Sequence, residues 1–161
     1  MIQLLDVLSV YTYMNVLLPL PPGLSLEAVK ENETARFNLS AHIVESSIFP
    51  DDWAILTRIA RWESNYDPRV LDCRIKSSIG AAGPFQVLPR SKKEKEDLCS
   101  DHTESARLAL MRIGESRRQC YYLPKAEQLA QYATGNCGET GRMLSRMRYS
   151  NENIMYKVIN E

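Results

Sequence analysis

The sequence predicts a mainly α-helical protein with a small β/turn region around residues 77–89. Several segments repeat apolar residues at every third or fourth position, as a helix with one buried face requires. The 8 prolines and 7 glycines fall mostly outside those segments. Together the periodicity and the placement of the helix-breaking residues favour helices joined by loops.

Composition narrows the class of protein. The 161 residues suit one domain with an extension, and a hydrophobic content of 44% is typical of a globular chain. Lys and Arg together number 20, as do Asp and Glu, so the formal net charge is zero. This balance does not favour a nucleic-acid partner, and we expect none.

The first twenty residues are largely apolar, with Asp6 as the only charge. They lack the basic start of a secretory signal peptide. Polar residues at every third position interrupt a membrane-spanning helix: Gln3, Asp6, Ser9, Thr12 and Asn15. We expect a helix that packs against the domain or a partner in preference to a membrane anchor, while virion or membrane contact through residues 1–20 stays open.

Residues 24–50 are expected to form a helical arm, with Glu27 and Glu31 on its polar side. His42 lies in this arm without a Cys, Asp or second His at ligand spacing. We therefore interpret His42 as a structural histidine and not as a metal ligand.

The next predicted helix starts at an N-cap formed by Asp51 and Asp52 and runs to about Asn65. Its apolar stripe contains Trp53, Leu56, Ile59 and Ala60 and continues to Glu63. Because the helix must stop before Asp67-Pro68, Glu63 lies in its last turn, where its side chain can reach a cleft. Partial desolvation there would raise its pKa and keep it protonated near neutral pH. The alternative is that Glu63 lies on a surface face.

Residues 77–89 combine Gly80 and Gly83 with small side chains, which suits a turn whose backbone approaches another group closely. The mixed-charge run at residues 90–96 is interpreted as a solvated helix face or loop in preference to a segment that contacts a polymer, which stays open. Two more helices are predicted, at residues 102–119 and 124–132. The basic segment at residues 142–148 could lie near a bound polymer or simply be solvated.

Four cysteines, Cys73, Cys99, Cys120 and Cys137, allow three pairings, and none has zinc-ligand spacing. The first two bracket residues 80–89, and the last two bracket the helix that leads to Tyr132. We predict the pairs Cys73–Cys99 and Cys120–Cys137, which indicate an oxidising environment. The alternative is four free thiols in a reducing cytosol.

Three blocks carry a family resemblance: Glu63-Ser64-Asn65-Tyr66-Asp67-Pro68, Gly80 to Pro89 (GAAGPFQVLP), and Leu129 to Gly135 (LAQYATG). In this order they resemble the soluble lytic transglycosylase family. The resemblance implies a lysozyme-like domain at residues 51–149, preceded by a helical extension at 1–50 and followed by a tail at 150–161.

The resemblance also implies an activity on the glycan strands of peptidoglycan. Members cleave the β-1,4 bond between MurNAc and GlcNAc, and the sugar's own 6-hydroxyl gives a 1,6-anhydro product. Glu63 matches the single acid/base, and Ser77 the substrate-contacting serine. Gln86 and Leu88 match cleft-lining positions, and Tyr132 the tyrosine that orients the acid. No metal or cofactor is implied.

The chain departs from the family pattern in the extra residues 72–76, in Pro84-Phe85 and in Ala133. Asp67 and Asp72 are the only carboxylates near Glu63 in sequence, so a hydrolytic muramidase of the goose-lysozyme kind stays open, although Asp67 is better explained as a turn residue. A non-catalytic virion or cell-wall component is the other alternative. The expected location is the periplasm or cell wall, or a phage tail.

Overall fold

The computed structural model describes residues 3–141, and those residues fold into α-helices joined by loops. The helices are α1 (Leu4–Leu17), α2 (Leu26–Ser46), α3 (Pro50–Glu63), α4 (Pro68–Leu71), α5 (Lys92–Ser100), α6 (His102–Gln119) and α7 (Ala130–Thr134), with a 3-10 helix at Lys125–Glu127. The mainly α prediction is confirmed. The basic segment 142–148 and the tail 150–161 lie outside the described residues.

The predicted β/turn region contains no strand in the described part of the chain. It reduces to a single antiparallel bridge between Ala82 and Val87, in which each backbone N–H donates to the other residue's carbonyl oxygen. Residues 77–89, the turn segment, therefore contain a tight turn closed by two hydrogen bonds.

One hydrophobic core is shared by helices from both ends of the described chain. It includes Val10 and Met14 of α1, Leu39 and Ile43 of α2, Leu56 and Ile59 of α3, Ala109 and Ile113 of α6, and Phe85 of the turn segment. The core is thus continuous across residue 50, where the sequence suggested that an extension ends.

The predicted N-terminal helix is present as α1. It buries Val7, Val10, Tyr13 and Met14 and packs on α2 and α3. Within residues 3–141, no helix has both the length and the apolar composition needed to cross a membrane.

Both ends of α3 differ slightly from the prediction. Phe49 is the N-cap and Pro50 opens the first turn, where its missing N–H costs nothing, so the predicted cap at Asp51-Asp52 was wrong. Both aspartates still place negative charge in the first turn. The helix ends at Glu63 instead of Asn65, because Asn65 and Tyr66 adopt positive φ angles of 52° and 54°.

A continuous helix over residues 124–132 was also predicted, and this was wrong. In such a helix the Tyr132 N–H would donate to the Gln128 carbonyl oxygen. Instead the Ser116 hydroxyl of α6 donates to the Gln128 carbonyl at 2.7 Å and accepts from the Tyr132 N–H at 3.0 Å. One side chain therefore satisfies both groups, and the segment splits into a 3-10 turn and α7.

Both predicted disulfides are confirmed. Cys73 pairs with Cys99 and joins the loop after α4 to α5, and Cys120 pairs with Cys137 and joins the end of α6 to the chain beyond α7. The first pair closes a segment that contains the turn at residues 77–89, and the second closes a segment that contains α7. Both pairs indicate an oxidising environment.

Candidate active site

A cleft of about 680 Å³ lies between the end of α3, the turn segment, α6 and α7. All five residues singled out from the sequence line this cleft: Glu63, Ser77, Gln86, Leu88 and Tyr132. Four of them come from the three sequence blocks and Ser77 lies just before the second block, so their meeting is a result of the tertiary fold.

Glu63 is half-buried, and the residues directly after it in the chain hold it in place. The Ser64 hydroxyl donates to the Ala60 carbonyl oxygen at 2.7 Å and covers the helix end. Tyr66 is fully buried, and its hydroxyl donates to the Thr57 carbonyl oxygen at 2.9 Å. The turn after Glu63 is therefore tied back to α3, which fixes the carboxyl group at the cleft.

The same turn is supported from the N-terminal helices. The Arg36 guanidinium of α2 lies 5.3 Å from the centre of the Tyr66 ring. It also donates to Asn15 Oδ1 at 2.7 Å and to the Leu18 carbonyl oxygen. Arg36 is buried, and this burial lowers its pKa. Through Arg36, α1 and α2 take part in holding the segment beside Glu63.

The turn segment forms one wall of the cleft. Gln86 has a positive φ of 46°, and its Nε2 donates to the Gly83 carbonyl oxygen at 2.9 Å. Gly83 packs so closely on α5 that an added Cβ would lie 2.3 Å from the Leu98 carbonyl oxygen. The close backbone approach predicted from the glycines is therefore real at Gly83, whereas a Cβ on Gly80 would meet nothing within 4 Å.

Tyr132 joins α7 to this wall. Its hydroxyl donates to the Phe85 carbonyl oxygen at 2.8 Å. Burial raises the pKa of Tyr132, and the negative charge of Glu63 raises it further, so the phenol stays protonated. Since its one proton is used by Phe85, the phenol oxygen offers only lone pairs to a neighbour.

Ser77 and Leu88 lie at the open edge of the cleft. The Ser77 hydroxyl oxygen accepts from the Ile79 N–H at 3.3 Å, which leaves its own proton available as a donor. Leu88 is 55% exposed and gives the rim an apolar patch.

The cleft lining also includes charged residues that the sequence did not single out, namely Arg90, Arg112 and Glu115. Arg90 Nη2 lies 2.7 Å from Glu115 Oε2, and Arg112 Nη1 lies 3.5 Å from the same oxygen. Arg90 in particular holds the pKa of Glu115 below its usual range. The interpretation of residues 90–96 as solvated was therefore incomplete, although residues 92–96 do begin α5.

Neither aspartate close to Glu63 in sequence lines this cleft. Asp67 caps α4 by accepting from the Arg69 N–H at 2.9 Å, and its hydrogen bonds with Arg69 lower its pKa. Asp72 lines a separate cleft of about 590 Å³, where its carboxylate lies 3.7 Å from His102 Nε2.

His42 is a structural residue in this fold. Its Nδ1 lies 2.8 Å from the Thr103 hydroxyl, and that hydroxyl donates to Glu45 Oε2 at 3.1 Å. Among residues 3–141, no three His, Cys, Asp or Glu side chains are grouped as they would be around a metal ion.

No protein-family model, curated protein or solved structure matches this chain. What points to a function for this chain is therefore its three sequence blocks and the geometry of its cleft.

Proposed function

We propose that this protein is a peptidoglycan lytic transglycosylase in which Glu63 serves as the general acid and then the general base. One observation carries the proposal: residues matching the family's acid, its substrate contacts and its orienting tyrosine line a single cleft at the end of α3.

Cleavage of a glycosidic bond requires an acid that protonates the leaving oxygen as an oxocarbenium-like transition state forms. In the proposed reaction Glu63 donates this proton. The same carboxylate then removes the proton of the 6-hydroxyl, whose oxygen bonds to the anomeric carbon. The product is a 1,6-anhydro sugar, and no water is consumed.

Tyr132 supports the acid step in a specific way. Because its hydroxyl proton is donated to Phe85, its oxygen can accept a hydrogen bond from a protonated Glu63 but cannot donate one to the carboxylate. Such a hydrogen bond would orient the protonated carboxyl group of Glu63 for the acid step.

A hydrolytic muramidase is the second candidate, and one observation favours it. Glu115 is a second carboxylate on the cleft wall, and an inverting hydrolase needs such a group to activate water. Its contacts with Arg90 and Arg112 make it a weak base, so we place the hydrolase second.

The two disulfides indicate that the protein functions in an oxidising environment, where disulfides persist. We propose the periplasm or cell wall as that place, or a phage virion that acts on the wall. In either setting the partner would be the glycan strand.

The test is digestion of purified peptidoglycan with the wild-type protein and with Glu63→Gln, followed by mass analysis of the fragments. We expect 1,6-anhydro-muramic ends from the wild type and at least a hundredfold loss of rate for Glu63→Gln, since general acid catalysis contributes about 10²–10⁴-fold. Thermal unfolding of both proteins serves as the control for folding.

Predominantly reducing muramic ends would instead establish a muramidase. Binding without cleavage by the wild type would favour the non-catalytic wall or virion component.

A further inference from the structure

The charged residues of the cleft form ion pairs that differ in exposure. The Arg112 guanidinium lies 2.7 Å from Glu94 Oε1, and these side chains are only 11% and 15% exposed. Arg90 also contacts its partner Glu115 at 2.7 Å, but the Arg90 side chain is 62% exposed. The first pair is enclosed between α5 and α6, whereas the second is open to the cleft.

The exposed pair of Arg90 and Glu115 can separate without leaving the Glu115 carboxylate unpaired. If the Arg90 side chain turns away, Glu115 keeps Arg112 at 3.5 Å. The Arg90 main chain stays in place, because its N–H donates to Glu94 Oε2 at 3.0 Å. An exposed ion pair contributes little to stability, so a ligand carboxylate can compete with Glu115 for Arg90 at small cost.

We propose that Arg90 binds a carboxylate carried by the glycan strand, and so makes this cleft selective for acidic, substituted glycans over neutral ones. The inference rests on the proposed function. A guanidinium presents two parallel N–H donors that match a carboxylate, as the present contacts of 3.3 and 2.7 Å with Glu115 illustrate. In peptidoglycan the carboxylate can come from the peptide stem or, in strands whose stem has been removed, from the lactyl group.

The test measures binding by titration calorimetry, with every protein carrying Glu63→Gln so that no ligand is consumed. Three probes are used. Chitotetraose has no carboxylate, and a glycan stripped of peptide exposes the lactyl carboxylate. The third probe is a glycan that bears peptide stems. Arg90→Ala is compared with Arg90→Lys and with a control variant, Arg107→Ala. Arg107 lies on α6, forms an ion pair with Glu104 and does not line the cleft.

We expect Arg90→Ala to weaken binding of an acidic probe about tenfold and to change chitotetraose binding less than twofold. Arg90→Lys should lie between, and Arg107→Ala should match the parent. Weakening on the stripped glycan identifies the lactyl group, and weakening only on the stem-bearing glycan identifies the peptide. Equal effects on all three probes, or none, would overturn the inference. Because binding is the readout, this result is independent of whether the wild type cleaves peptidoglycan.

Discussion

At the residue scale, the cleft depends on how neighbours restrict Glu63 and Tyr132. Glu63 ends α3 and is followed by the buried Ser64 and Tyr66, whose hydroxyls both donate to α3 carbonyl oxygens. Tyr132 is restricted by its hydrogen bond to Phe85. The hydroxyl groups of Ser64, Tyr66 and Tyr132 therefore each have a defined partner, and preorganisation of this kind is what the proposed acid catalysis would need.

Glu115→Gln separates the two catalytic candidates. If water were activated by Glu115, this change should cost about 10²–10⁴-fold in rate. Because Arg90 and Arg112 hold the carboxylate, we expect less than a tenfold loss and unchanged anhydro products. The measurement is the initial rate of peptidoglycan digestion with product masses. A loss as large as that of Glu63→Gln would identify Glu115 as a catalytic base.

His102 makes stability depend on pH. Its pKa is lowered below 6.5, chiefly by burial and then by His42, despite a 3.1 Å contact of Nε2 with the Leu71 carbonyl oxygen. The unfolded chain therefore takes up this proton more readily than the folded one. The contribution of neutral His102 to the free energy of unfolding is therefore complete above about pH 6.5. It decreases as the pH falls towards the pKa of His102 in the folded protein.

We expect His102→Gln to reduce the decrease in unfolding free energy between pH 7 and 5, measured by urea denaturation. Lys92 is exposed, and Lys92→Gln should leave the pH dependence of the unfolding free energy as in the wild type. An unchanged slope in His102→Gln would contradict the assignment.

At the element scale, the turn segment is positioned by its contact with α5. The backbone at Gly83 lies against the Leu98 carbonyl oxygen, and the Gly83 N–H faces Cys73 Sγ at 3.3 Å. The disulfide from Cys73 to Cys99 lies beside this contact. The wall of the cleft is thus set by main-chain packing, for which only glycine is small enough.

Gly83→Ala and Gly80→Ala form a matched pair. Both positions have positive φ, 73° and 82°, so each alanine costs roughly 1–2 kcal/mol in backbone strain. Only at Gly83 does the new Cβ collide with backbone, which adds about 1–3 kcal/mol. We expect denaturant unfolding to show the larger loss for Gly83→Ala, together with reduced activity. Equal losses would show that the turn can move away from α5.

At the scale of the whole molecule, helices from the start of the chain support a cleft built from later residues. Arg36 of α2 joins α1 to the ring of Tyr66, and α1 contributes to the same core as α3 and α6. Residues 3–50 therefore belong to the scaffold of the candidate site.

The disulfides stabilise this scaffold by restricting the unfolded chain. They close segments with sequence separations of 26 and 17, for which about 2–4 kcal/mol each is expected. Replacing either pair by serines should lower the free energy of unfolding by that amount, measured in denaturant without reductant. Wild-type protein with added reductant provides the comparison. A change below about 0.5 kcal/mol, within the range of ordinary surface substitutions, would contradict the prediction.

Sequence alone indicated the helical class and the place of Glu63 at a helix end. It also favoured a close backbone approach in the glycine turn, which the structure localises to Gly83, and the cysteine pairing that the structure contains. These features depend on local patterns: the apolar stripe of α3, the stop before Asp67-Pro68 and the bracketing of a turn by cysteines.

Only the tertiary structure decided which distant groups meet. Arg90 and Glu115 are 25 residues apart, and Tyr132 lies 47 residues from Phe85. The Ser116 hydroxyl of α6 likewise divides residues 124–132, which their local sequence predicts as one continuous helix. A polar side chain exposed on an isolated helix gives no sign of its partner, because the pairing energy exists only once packing brings the elements together.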